Sequence, residues 1–104
     1  MPELARPPRP PYYAVIAPSV LRADTRGYPE LGARLIELAR EVDGFHGVDV
    51  CLQPGFSLAV SYWRSLEAIE AWRRHAEHLR AKQLGQQRWF ASWVTRIARV
   101  EQEY

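Results

Sequence analysis

"FHGVDVCLQPGFSLAVSYWRS", residues 45–65, holds two runs rich in β-branched and aromatic residues, divided at Pro54 and Gly55. Such runs favour extended backbone, and a Pro-Gly pair between them is a turn signal, so the segment predicts a β-hairpin. On both sides of it the hydrophobic period changes. Upstream, "YPELGARLIELAREVDG" (28–44) repeats Leu31, Leu35, Leu38, Ala39 and Val42 at helical spacing, with Pro29 in the first turn and Gly44 at the stop. Downstream, Ser65 suits the N-cap of a second helix running to Gly85, and Glu67 and Glu70 suit the positive end of its dipole. Further out, "YYAVIAPSVL" (12–21) reads as a strand interrupted or ended near Pro18. "RWFASWVTRIARVEQEY" (88–104) reads as a last strand with a polar tail. The order βαββαβ is a ferredoxin-like arrangement of the α+β class.

Strand faces carry the next expectation. Phe56, Leu58, Val60 and Tyr62 alternate with Ser57, Ala59, Ser61 and Trp63. The last strand sets Trp89, Ala91, Trp93 and Ile97 against Phe90, Val94, Ala98 and Val100. Two helices cover one face of a four-stranded sheet, so the aromatic residues of the other face predict a homodimer packed sheet to sheet.

The 104 residues suffice for one domain, expected over 12–104 behind a stiff Pro-rich arm at 1–11. With 47% hydrophobic residues, four Trp, five Tyr and three Phe, a core needs neither disulfide nor structural metal. Cys51 has no second cysteine to pair with and is expected to pack as a small hydrophobe. Net charge is only +2 with acids among the bases, so no nucleic-acid partner is expected. "PGFSLAVS" (54–61) also lacks the basic residue and second ring of an RNA-recognition strand. No apolar run approaches the ~20 residues of a membrane span. The first eleven residues carry charges and five prolines in place of a signal peptide's apolar stretch, which predicts a soluble, cytoplasmic protein with no membrane partner.

"AWRRHAEHLRA" (71–81) holds the titratable candidates. At ~100° per residue, Trp72 faces inward with Ala68, Leu79 and Gln83, while His75, His78 and Lys82 follow one flank. On that wheel His75 borders the core and His78 lies further toward solvent. An unperturbed imidazole suits acid–base work, so His75 and His78 are candidate proton carriers; the competing reading is one hydrogen-bonded His and one surface His. Two histidines three apart can share an ion, but a closed site would need His46, Asp49 or a partner chain, and no metal site is assigned. No phosphate loop, Ser-His-Asp spacing or paired-carboxylate motif is present.

"SYWRSLEAIEAWRRHAEHLRAKQLG" (61–85), with "GYPELGARLIELA", "GFHGVDV" and "RWFASWVTRIARVE", resembles the antibiotic biosynthesis monooxygenase (ABM) superfamily over most of residues 12–101. Within it the likeness is to the bacterial haem-degrading and quinol-type branch. The resemblance implies a ferredoxin-like fold, a dimeric α+β barrel, and a pocket between sheet and helices for a flat hydrophobic molecule. In haem-degrading members a Trp on this helix is followed ten residues later by the iron-ligating His, and an Asn near the first strand completes the site. Trp72 matches the Trp, but Lys82 stands ten residues on and the chain has no Asn. Haem would therefore need His75 or His78 to ligate from a shifted position. Cofactor-independent members oxidise an electron-rich aromatic that activates oxygen itself once deprotonated. For this chain the resemblance thus implies oxidation of a small planar aromatic, hydroquinone- or polyketide-like, by O2 without bound metal. Tyr62, Trp72 and Trp89 would line the pocket, His75 or His78 would take the proton, and Arg96 would face an anion. A non-catalytic ligand-binding or structural dimer is the alternative, and a haem enzyme the third.

Overall fold

Pro54 and Gly55 form the predicted two-residue turn, with Gly55 at φ +82°, a value that suits glycine. The computed structural model describes residues 3–104. From the turn, β2 (Phe45–Gln53) and β3 (Phe56–Trp63) pair antiparallel, beginning at Gln53 opposite Phe56. Strand β1 (Tyr12–Leu21) lies along the other side of β3 in unbroken antiparallel register from Tyr13–Trp63 to Val20–Phe56. The sheet order is β2-β3-β1-β4, as the ferredoxin-like pattern requires.

The expected last strand is two strands. Residues Gly85–Trp89 form a π-helical turn, followed by β4 (Phe90–Trp93) and β5 (Arg96–Val100), both beside β1. The reason lies in Pro18, which does not end β1 but interrupts its neighbour. The Pro18 carbonyl faces Val94, accepting from its N–H at 3.4 Å, so the N–H that proline lacks would face the same side. Pairing with β5 ends at Ile16–Arg96 and pairing with β4 resumes at Ser19–Trp93. The turn before β4 is tight because Gly85 has no side chain: a Cβ there would come within 2.6 Å of the Phe90 ring.

Helix α1 (Tyr28–Ala39) begins with Pro29 in its first turn and stops before Gly44, through a short turn over residues 40–44. The expected helix from Ser65 to Gly85 breaks in two, α2 (Leu66–Arg74) and α3 (Ala76–Leu84). Ser65 caps α2 as predicted, its Oγ accepting from the Ala68 N–H at 3.1 Å. His75 sits at the break with extended ψ of 127°.

The core lies between the helices and one sheet face. Trp63 is wholly buried, with Ala39, Ala68 and Ile69 around it and Tyr13, Val15, Phe45 and Trp72 packed on that cluster. On the opposite face the chain termini cover one end: the Ala5 N–H donates to Asp49 Oδ1 at 2.8 Å, and Tyr12 OH donates to Glu103 Oε2 at 2.8 Å. Val20 and Phe56 are left exposed at the other end. Cys51, expected inside, is exposed, because β2 is an edge strand and the alternation turns Cys51 away from the helices. Among the described residues, no helix is long and apolar enough to cross a membrane.

Candidate functional site

Between the helices and the sheet is a cavity of about 490 Å³, within the roughly 300–1,000 Å³ of small-molecule sites. Its floor is the helix-facing side of β1 and β3, including Val15, Ala17, Ala59 and Trp63. Its roof is one stripe of α1, Tyr28, Leu31, Gly32, Leu35 and Ile36, at the spacing of a helix face. Gly32 faces open space: a Cβ added there would meet nothing within 4 Å. Trp72 and His78 close one side, and Trp89, Phe90 and Trp93 the other.

Three polar side chains on this wall bond within the protein. Tyr28 OH donates to Ser57 Oγ at 3.1 Å, Trp63 Nε1 to Ser61 Oγ at 2.8 Å, and Trp89 Nε1 to the Arg26 carbonyl at 3.1 Å. His78 differs in having a buried nitrogen without a partner. Its ring stacks on Trp72 with centroids 4.6 Å apart and planes 20° from parallel, and Trp72 in turn stacks with Trp63 at 6.2 Å. Nδ1 of His78 is covered and has no hydrogen-bond partner. Burial pushes this imidazole below its ordinary pKa, and the charges of Lys82, His75 and Arg73 add to the fall; the Trp72 backbone works against them. The ring is therefore held toward its neutral form.

His78, which the helical wheel sets further toward solvent, lies on the cavity, while His75 keeps its ring 5.6 Å from Trp72 but does not border the cavity. The wheel assumes one continuous helix, and the break at His75 resets its phase. His75 serves that break: its Nδ1 accepts from the Glu77 N–H at 3.2 Å, capping α3. The substitution H75A is expected to lower stability by about 1 kcal/mol or less, the scale of an exposed cap. The stronger capping residue in H75N should restore it, and neither change should alter ligand affinity. Urea titration beside a binding isotherm checks this; a collapse of affinity in H75A with intact stability would return His75 to the site.

Trp72 and Trp89 border the cavity as expected. Tyr62 does not. It neighbours Trp63 in the strand and so points to the opposite face, where its OH donates to Asp49 Oδ2 at 2.7 Å. Burial and that carboxylate push its pKa up to about 12. Arg96, exposed on β5 opposite Ile16, also lies away from the cavity, although its neighbours Thr95 and Ile97 border it. Sequence reasoning missed Tyr28, Phe90 and Lys82 as wall residues. Tyr28 was within reach, since it continues the Leu31–Leu35 stripe one turn earlier. No group of three or more His, Cys, Asp or Glu side chains is placed to share a metal ion among the described residues.

Residues 11–84 match the sequence pattern of the antibiotic biosynthesis monooxygenase family. The uncharacterized protein YqjZ of Bacillus subtilis (strain 168) is 42% identical over 101 residues, covering 96% of this chain and 89% of YqjZ. Among solved structures, Rv0793 of Mycobacterium tuberculosis has a TM-score of 0.79 at 21% identity, over 88% of this chain and 97% of that one. SnoaB, a cofactor-independent oxygenase from Streptomyces nogalater, has a TM-score of 0.77 at 8% identity, over 90% and 97% of the two chains. At such low identity the two structures speak for the fold alone, whereas the sequence pattern and YqjZ speak for common descent. The chain belongs to the antibiotic biosynthesis monooxygenase family.

Proposed function

We propose that this chain is a monooxygenase that binds a small planar aromatic of hydroquinone or polyketide type in the cavity and oxidises it with O2 without a bound metal. The observation that carries the proposal is His78: an imidazole held toward its neutral form by its surroundings and stacked on Trp72 in the wall of a largely apolar, aromatic cavity. An apolar site excludes water and its side reactions from chemistry done inside it, and flat rings match a flat ligand. The name of SnoaB makes cofactor-independent oxygenation a chemistry this fold can host.

For an anthrone, a ring-carbon proton passes to His78 and the carbanion gives one electron to O2. The radical pair joins as a C–O bond. The resulting peroxide anion takes the proton back from the imidazolium and loses water, leaving a carbonyl. One O2 is consumed, one oxygen atom enters the product and the other leaves as water. The residues do not fit the haem alternative: Lys82 holds the position of the iron-ligating His, and the chain has no Asn. The exposed Val20 and Phe56, with Leu58 and Val60 half-buried beside them, support a homodimer formed through the open sheet face.

Oxygen uptake with anthrone or a dihydroxynaphthalene tests the proposal. Turnover above the uncatalysed rate, at one O2 per quinone from anthrone, is expected. The variant G32L should block it by filling the cavity, while stability holds or rises by up to about 1 kcal/mol, because glycine is a poor residue inside a helix. Binding without turnover would assign the chain to ligand carriage, and no binding at all would remove the cavity from consideration.

A further inference from the structure

The cavity wall carries charge of one sign. Arg73 and Lys82 are the charged residues that border it, and no Asp or Glu among the described residues does so. Arg73 already pairs with Glu70 at 3.2 Å. Lys82 makes no ion pair among the described residues. It follows His78 by four residues on α3, so the ammonium and the imidazole share one helix face at the cavity.

Lys82 is exposed to solvent on α3, so its pull is partly screened, but at the edge of the cavity it still favours an anion over a neutral molecule of the same shape. We infer that the ligand is an aromatic acid, its planar ring system in the cavity and its carboxylate paired with Lys82. A carboxylate is chosen over a phenol because a phenol, with a pKa of about 10, reaches the site uncharged at neutral pH. Arg96, the cation expected from the sequence, is on the far side of the sheet from that ligand. The arrangement also divides the work at the site. Lys82 disfavours a second positive charge on His78, so the imidazole is held neutral while the ammonium holds the ligand. The inference rests on the proposal that this cavity takes a planar aromatic, and its test separates the two.

The test is calorimetric titration of the full chain with 2-naphthoate and with its methyl ester, which share a ring system and differ in charge. The acid should bind about fivefold more tightly than the ester, the scale of a partly exposed charge pair. Added salt should narrow the gap. K82M should abolish the preference, K82R should keep it, and K82E should reverse it. Equal affinity for acid and ester in the wild-type protein, or a preference that survives in K82M, overturns the role of Lys82 and leaves the aromatic cavity standing. If neither probe binds, the cavity proposal fails and the inference goes with it.

Discussion

Replacing Trp63 with alanine should lower stability by about 3–5 kcal/mol and Tm by roughly 15–30 °C. Trp63 is the one large side chain wholly shielded from solvent among the described residues. It meets Phe45 edge to face at 5.1 Å, stacks with Trp72, and holds its indole N–H on Ser61. The hairpin, α2 and the cavity floor all meet at this ring. A domain of this size is stable by about 5–15 kcal/mol in total, so W63A should retain little cooperative folding at 37 °C. W63F keeps a ring but leaves Ser61 without its donor, and should cost about 1–2 kcal/mol. Thermal and urea unfolding followed by circular dichroism measures both. A loss under 1 kcal/mol in W63A would mean that the sheet and helices are held together elsewhere.

His78 should behave in the opposite sense, with a large effect on rate and little harm to stability. In H78F a ring still stacks on Trp72, and the buried nitrogen that lacks a partner is gone. An unmet polar group of that kind costs about 1–3 kcal/mol, so H78F should unfold at the same urea concentration as the wild type or a higher one. Turnover of the aromatic substrate should nevertheless fall by roughly 10²–10⁴-fold, as when a general base is removed. The pH dependence has a definite sign. Because the folded pKa lies below the unfolded value of about 6.5, the unfolded chain binds more protons between the two. The stability tied to neutral His78 is therefore complete above the unfolded value and is lost as pH falls toward the folded one. The acid limb of the rate profile should likewise lie below the ordinary histidine range. An H78F variant that turns over normally, or a rate profile with no acid limb, would take the proton-accepting role away from His78.

How much of this was legible in the sequence depends on whether the cause lay nearby in the chain. The turn at Pro54–Gly55, the start of α1 and the Ser65 cap follow from side chains acting on their own backbone, and they stand where expected. The break at His75 has no proline or glycine to announce it. It became visible only with the backbone dihedrals, and with it the turn of His78 toward the cavity. The division of the last strand has its cause in Pro18, on a different strand far earlier in the chain. Tyr62 teaches the reverse. Alternation alone sets it opposite Trp63, and that local rule prevailed over its assignment to the pocket by resemblance.

The interruption at Pro18 leaves β1 one regularly paired margin and one interrupted one. A regular strand shows a ligand every second residue, but Trp93, Val94, Thr95 and Ile97 all border the cavity. Residues 94 and 95 lie between the two stretches paired to β1, so exchanging their side chains disturbs no regular ladder, while the long β1–β3 register holds the fold. Changes of ligand preference among related chains can therefore accumulate at this seam without reopening the question of how the protein folds.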